Sequence, residues 1–429
     1  MNKVTPVFFA LHIAACFSGV DGTAIAAGDN AEHFRILCRV YKTATQVPHA
    51  LYDPTSIDDV SEKIDVFSAA LSDDKWYADV LSASKESKIP EELAGTSTVM
   101  KGNWSRWRKA VVRISTDPEV AKIPSGTPAI KTALERLKVI EKHVEKILQD
   151  IQKTSESVDL AKLQTAFSEA IFGNLGEDNE RTYHGTSSRG QTCGSSGLGS
   201  KGANTGDSLV IDFLCLCAKD SSGIDKACGE DVSIASPEWT VGSTNSGKQI
   251  WTKIRDACIG RTNTKNVTAE YGVSALYDFV AKISVDTQAS SRKPGLFGTI
   301  TTAGTPACDG QNADSNHGIC VYYGTDLKQI KWLQKIKNGI AELEKAHKGE
   351  ATIRNAITHL KMLGTRAEEI YEEAKATLDQ ETTTSRIPTK NQTMNQKPPT
   401  PSDKGTAQEP SALSKAGNSR YILPWTLLI

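Results

Sequence analysis

Two long stretches of this sequence place an apolar residue every three or four positions, and that spacing constrains the fold more than any other feature. Pro128 suits a first helical turn. From there Ile130, Leu134, Leu137, Ile140, Val144, Leu148 and Ile151 form one stripe, continued less strictly by Val158, Leu163, Phe167 and Ile171. Glu135, Arg136, Lys138, Glu141 and Lys142 fill the other faces. A stripe this narrow and long is a coiled-coil seam, because only a partner helix covers it. As one helix, residues 128–171 make a rod of roughly 65 Å. From Asp326 a second stripe runs through Leu327, Ile330, Leu333, Ile336, Ile340 and Leu343, then Ile353, Ile357, Leu360, Leu363, Ile370, Ala374 and Leu378. Gly349 and Gly364 interrupt it and are expected to kink or break the helix.

Upstream, a cap signal at Asp29-Asn30 precedes Phe34, Leu37, Cys38 and Tyr41 at helical spacing. After Pro48 and Pro54, the stripe resumes with Ile57, Val60, Ile64, Phe67 and Leu71. Residues 27 to about 175 therefore read as helical. Residues 176–324 differ, holding most of the glycine and seven of the eight cysteines beyond Cys16. The apolar run from Leu209 to Cys215 reads as a short strand, and 249–259 and 269–283 as helical turns. The predicted fold is mainly α. It is an elongated antiparallel helical coiled-coil bundle over 27–380, with a disulfide-rich lobe of loops and short strands at 176–324.

The ends fix the compartment. Lys3 precedes an apolar run from Val7 to about Val20, and Ala24-Ile25-Ala26 supplies small residues for signal peptidase. That run is short of the roughly 20 residues a spanning helix needs. Residues 1–26 are thus read as a signal peptide. The remaining cysteines, Cys38, Cys193, Cys215, Cys217, Cys228, Cys258, Cys308 and Cys320, are an even set in an exported chain and read as disulfides. On a strand, Cys215 and Cys217 face opposite ways and take different partners. Cys308 and Cys320 bracket a loop that a bond between them closes. A zinc site is disfavoured, because no C-x-x-C pair exists and the histidines are scattered. Asn103, Asn266 and Asn391 head N-glycosylation sequons. Residues 381–420 are rich in Thr, Pro, Gln, Ser and Lys; a segment so poor in apolar residues reads as a disordered stalk. Residues 421–429 are apolar and end the sequence. An apolar tail behind a polar spacer matches a glycosylphosphatidylinositol (GPI) attachment signal, with small-residue windows at Gly405 and at Gly417.

Apparent catalytic motifs dissolve on inspection. Gly242 to Lys248 spells most of a phosphate loop, but Gln249 stands where a magnesium-binding hydroxyl belongs, and no buried strand precedes it. Gly197-Leu198-Gly199-Ser200-Lys201-Gly202 matches G-x-G-x-x-G without the strand before and helix after that a dinucleotide needs. Trp104-Ser105-Arg106-Trp107-Arg108-Lys109 interleaves aromatic and basic residues, yet a net charge of −1 argues against nucleic-acid binding and for packing of the tryptophans on the bundle. His143, His347 and His359 fall on the rods. No catalytic residue, cofactor, metal, nucleotide or nucleic acid is expected.

Gly28-Asp29-Asn30-Ala31 and Leu37-Cys38-Arg39-Val40-Tyr41 resemble the mature N-terminus of the variant surface glycoproteins of African trypanosomes, the B type more than the A type. The order of rods, cysteine-rich middle, closing helix and anchor signal is similar too. One departure is plain: many members carry a small cysteine-rich C-terminal domain, and here no cysteine follows Cys320. The resemblance implies a non-catalytic, GPI-anchored homodimer packed over the plasma membrane. It would shield that membrane from host antibodies and provide antigenic variation. The rival implication is a receptor for a host serum protein on the same scaffold, like the trypanosome transferrin or haptoglobin–haemoglobin receptors.

Overall fold

The computed structural model describes residues 24–94, 98–176, 178–194, 199–229, 232–233, 238–260, 267–284, 294–301 and 305–384. In chain order the helices are α1 (Ala31–Ala44), α2 (Thr55–Ala70), α3 (Asp74–Ser82), α4 (Glu91–Ala94), α5 (Thr98–Thr116) and α6 (Pro128–Glu156). They continue as α7 (Leu160–Phe172), α8 (Arg189–Cys193), α9 (Leu209–Cys217), α10 (Thr244–Gly260), α11 (Ala269–Ser284) and α12 (Lys331–Thr384). One antiparallel hairpin, β1 (Leu296–Ile300) and β2 (Gly318–Tyr322), runs in register from Leu296 opposite Tyr322 to Ile300 opposite Gly318. The chain divides into two compact units, Met1–Thr377 and Leu378–Ile429, and in the second the described residues are the last turns of α12.

Local chemistry sets the helix boundaries. Thr127 Oγ1 accepts from the Ile130 N–H, and Pro128 in the first turn has no N–H to leave unpaired. The expected single rod over 128–171 is two helices. Asp159 breaks it, its Oδ1 accepting from the Lys162 N–H at 2.8 Å and starting a new helix at Leu160. A side-chain cap satisfies donors that an uninterrupted helix would satisfy within itself, so a well-placed aspartate stabilises a break. Conversely, Gly349 and Gly364 do not break α12, which is continuous for 54 residues. At about 1.5 Å per residue it is roughly 80 Å long.

Why α12 tolerates glycines follows from what lies beside it. An added Cβ on Gly349 would sit 3.1 Å from Val158 Cγ2, and one on Gly364 would sit 3.1 Å from Val60 Cγ1. Gly339 is tighter still, its absent Cβ 2.2 Å from the Phe167 ring. The glycines admit neighbouring side chains to the α12 backbone. Packing and ion pairs then give the directions. Lys335 pairs with Glu169, Lys162 with Glu342 at 2.7 Å, and Arg136 with Glu373 at 2.7 Å. As numbers rise along α12 they fall along α7 and α6, so the pair is antiparallel. Against α2 the numbers rise together: Lys63 meets Glu368 at 2.8 Å and the Phe67 ring stacks on Tyr371 at 5.0 Å. These two helices run parallel. Such exposed pairs each contribute about 0–1 kcal/mol and fix register more than stability. The stabilisation lies in the apolar stripes, which are buried on both partners: Ile130, Leu137, Ile140, Val144, Ile151, Leu163 and Phe167 on α6 and α7, and Ile336, Ile340, Leu343, Ile353 and Leu360 on α12. Each contributes about 1.5–3 kcal/mol when fully buried.

Helix α5 covers the other side of α2. Arg106 holds the buried Asp65 with two bonds, Nη2 to Oδ1 at 2.6 Å and Nε to Oδ2 at 2.7 Å. Trp104 is buried and its Nε1 donates to the Glu86 carbonyl at 3.2 Å, while Trp107 meets Trp76 edge to face at 5.6 Å. The aromatic–basic patch is therefore a packing element.

The Phe167–Gly339 crossing gives a direct test. Gly339→Ala should lower the melting temperature even though alanine gains about 1 kcal/mol of helix propensity, because overpacking a tight core costs about 1–3 kcal/mol. Adding Phe167→Leu should recover part of the loss in a thermal-unfolding double-mutant cycle. Additive effects of the two changes would place the strain elsewhere.

Candidate functional site

Helix α9 is the hub of the lobe, and it corrects the expectation of a strand at Leu209–Cys215. All nine of its residues are buried. A helix covered on every side needs no amphipathic stripe, so a short continuous apolar run reads as either element. Ser208 decides it: its Oγ accepts from the Ile211 N–H at 3.2 Å, as an N-cap does. Phe213 on this helix touches Phe34 and Tyr41 of α1 and Trp251 of α10, with ring centroids 5.6–6.4 Å apart. Thus α1 belongs to the lobe's core as much as to the helices after it.

Four disulfides tie this body together. Cys193 bonds Cys215, Cys217 bonds Cys228, and Cys308 bonds Cys320 at the β2 strand. Cys38 bonds Cys258 across 220 residues and joins α1 to α10. Cys215 and Cys217 do take different partners, but for a helical reason: two residues turn the direction by about 200°.

Two buried charges sit at the ends of α9, and neither stands out in the sequence. Asp212, in its first turn, is fully buried. Its Oδ2 accepts from Tyr323 Oη at 2.7 Å and Trp332 Nε1 at 2.6 Å, and its Oδ1 accepts from the Gly206 N–H at 3.0 Å. Burial pushes the carboxyl up to about 7, against the pull of those three donors. The same burial, with the carboxylate alongside, holds the Tyr323 hydroxyl well above its ordinary value. Trp332 opens α12, so one carboxylate fastens lobe, hairpin and long helix. At the other end, Arg189 Nη2 donates to the carbonyls of Leu214 at 3.3 Å, Cys215 at 3.1 Å and Ala218. Acid at the start and base at the end both complement the helix dipole. Burial lowers Arg189 to about 10, opposed by Asp220 and Asp309. Gly310 has φ +84°, and any Cβ there would lie 2.3 Å from Arg189 Cζ.

The motifs weighed in the sequence fall where packing explains them. Gly247 and Lys248 lie inside α10; a Cβ on Gly247 would be 2.7 Å from Tyr183 Cβ, and Lys248 Nζ lies 3.6 Å from Asp178. No phosphate fits against that glycine. Gly202 lets the chain pass the backbone of Thr192 and Cys193, where a Cβ would sit 2.5 Å away. Lys201 Nζ donates to the Gln329 carbonyl. His143 and His359 are exposed on α6 and α12, and His347 is half-buried on α12. Among the described residues, no group of His, Cys, Asp and Glu could hold a metal ion, and no helix is long and apolar enough to cross a membrane. Asn103 falls in α5. Asn266, Asn391, Gly405, Gly417, the first 23 residues, most of the 381–420 stalk and the 421–429 tail lie outside the described residues.

A family model described as "Trypanosomal VSG domain", in its B form, matches residues 12–362, most of the chain and all of the lobe. The chain belongs to the trypanosomal variant surface glycoprotein family. Variant surface glycoprotein YnAT 1.3 of Trypanosoma congolense is 30% identical over 338 residues, covering 74% of this chain and 80% of that protein. Variant surface glycoprotein YnAT 1.1 of the same organism is 24% identical over 327 residues, 73% of this chain and 71% of that protein. In a variant surface glycoprotein domain the α9 hub is an architectural site: what it holds is the relation of disulfide-bound lobe to helices.

Two measurements probe that hub. The Asp212 carboxyl binds its proton more tightly folded, at about 7, than at its ordinary value of 3.8. The stability it contributes is therefore complete below about pH 4 and is lost as pH rises toward 7. Thermal unfolding of Asp212→Asn across this window should show a flatter pH dependence than the parent and a lower melting temperature at every pH, since the amide replaces one acceptor with a donor. An unchanged pH slope would exclude Asp212 as its source. For the disulfides, loop-closure entropy assigns about 5 kcal/mol to the 220-residue Cys38–Cys258 closure and about 3 kcal/mol to the 11-residue Cys217–Cys228 closure. Replacing the first pair by serine should thus lower the unfolding midpoint in denaturant more than replacing the second.

Proposed function

We propose that this protein is a non-catalytic surface coat glycoprotein, held on the outer leaflet by a GPI anchor and packed as a homodimer. In that role it shields the parasite plasma membrane from host antibodies and, by exchange with other variants, mediates antigenic variation and immune evasion. The observation that carries the reading is the family match across residues 12–362, supported by 30% identity to a variant surface glycoprotein. The physical arrangement supports it too. Long paired helices give a scaffold for dense side-by-side packing, and four disulfides hold a lobe whose loops can vary in sequence while the core stays fixed. The sequence supplies the address: an apolar leader at one end, and at the other a polar stalk and a short apolar tail. A lipid anchor with two chains holds far better than one with a single chain and still permits lateral movement.

The test is release from intact cells by a phosphatidylinositol-specific phospholipase, with quantitative mass spectrometry of the released and retained fractions. The expected result is release as a dominant surface species whose chain ends at or before residue 417, without Trp425. Trace abundance, or a surface chain that retains Trp425, would overturn the coat reading.

A further inference from the structure

We infer that the leader is cut between Ala24 and Ile25, so that Ile25 is kept as the first residue of the mature chain. The inference rests on the exported reading above and moves the boundary from the carboxyl side of Ala26 to the amino side of Ile25.

The small-residue pattern of a signal-peptidase site occurs more than once in this segment. Ala24-Ile25-Ala26 satisfies it, and so does Gly22-Thr23-Ala24 one step earlier. Sequence pattern alone does not choose between them, but the two products differ in how well the folded lobe is completed. Ala24 is exposed, whereas Ile25 is 2% exposed. Its side chain forms a small apolar cluster with Ala227 and Ile319, flanked by Ile224. Its carbonyl lies 3.4 Å from Asn312 Nδ2, which donates to it. The next residues are tied down as a continuous edge. The Ala26 N–H donates to Asp29 Oδ2 at 2.8 Å. The N–H groups of Gly28 and Asn30 donate to the carbonyls of Lys226 and Ala227, each at 2.9 Å. Asn30 is fully buried, and its Nδ2 donates to the carbonyls of Leu216 at 2.9 Å and Ile319 at 2.7 Å. Among the described residues a clasp thus runs from Ile25 to Asn30, against Leu216, Ala227 and Ile319, the sequence neighbours of Cys217, Cys228 and Cys320.

A cut after Ala26 would empty the Ile25 site, uncover Ala227 and Ile319, and remove the carbonyl that Asn312 Nδ2 donates to and the N–H that Asp29 Oδ2 accepts from. A cut after Ala24 loses none of these contacts, and removing the exposed Ala24 opens the new Ile25 amino group to water. Signal peptidase acts on the extended, unfolded precursor, so both bonds are open to it. Only one product, however, keeps the residue that the folded lobe closes over.

Two readouts on protein purified from the cell surface test this. N-terminal sequencing with intact mass should give Ile25 as the first residue; a chain starting at Thr23 or Ala24 places the cut elsewhere and overturns the assigned bond. A chain starting at Ala26, Ala27 or later overturns the inference while leaving the coat reading standing. A chain that retains Met1 overturns both. The second readout is thermal unfolding of Ile25→Val and Ile25→Asp variants, each checked by mass for an unshifted cut. If Ile25 is kept, valine lowers the melting temperature slightly and aspartate by several degrees or to the point of failed folding. If Ile25 is removed with the leader, both mature proteins are identical to the parent, and equal melting temperatures overturn the inference.

Discussion

The structure depends on one seam: the apolar stripe of α6 and α7 laid antiparallel against α12. Neither partner is amphipathic by accident of composition. Each presents a row of Ile, Leu and Val that only another helix can cover, and charged residues elsewhere prevent indiscriminate association. Where the seam is closest, the chain gives up side chains altogether, and Gly339 receives the Phe167 ring. The seam also reaches the lobe, because the first turn of α12 carries Trp332, whose indole donates to Asp212. Lobe and long helix therefore share a joint of one buried carboxylate with three donors. Removing one of those partners would leave a buried polar group unsatisfied in an apolar interior, which costs about 1–3 kcal/mol.

How much of this was legible in the sequence depended on periodicity. The stripes at 130–171 and 327–378 announced a paired, mainly helical fold, and the helices at 249–259 and 269–283 lie within α10 and α11. What was not legible has specific causes. The break at Asp159 has only a single cap residue as its signal, and the apolar spacing runs through it unchanged. The α9 helix, Leu209–Cys217, has no period to read because every face is buried; the signal that would have found it was Ser208 ahead of the run. Asp212 and Arg189 look like ordinary charges until the fold places them at opposite ends of one buried helix. Glycines 349 and 364 mislead in the other direction. Intrinsic propensity marks them as breakers, but here a neighbouring helix occupies the space their missing side chains leave.

The formal nucleotide motifs show the same principle from the opposite side. Glycine serves phosphate binding by letting a ligand approach the backbone, and it serves packing by letting protein approach instead. At Gly247 and Gly202 the approaching atoms belong to Tyr183, Thr192 and Cys193. A glycine-rich stretch inside a disulfide-bound body is thus better explained by crowding of chain against chain. That crowding gives the lobe a backbone held from many sides, with loops at its surface free to change.

The pattern of cystines has a consequence for what a protease can do to this molecule. Three of the bonds lie within or close the interval from Cys38 to Cys258, and the fourth joins Cys308 to Cys320. None of the four crosses from 258 to 308. A peptide-bond cut anywhere between Cys38 and Cys258 leaves a single covalent molecule, still joined through sulfur, whose fragments part only under reduction. A cut between Cys258 and Cys308 severs the chain into two pieces that non-covalent contacts alone retain. Clipping thus has different outcomes on the two sides of Cys258: on one the pieces stay joined through sulfur, on the other only packing and hydrogen bonds hold them.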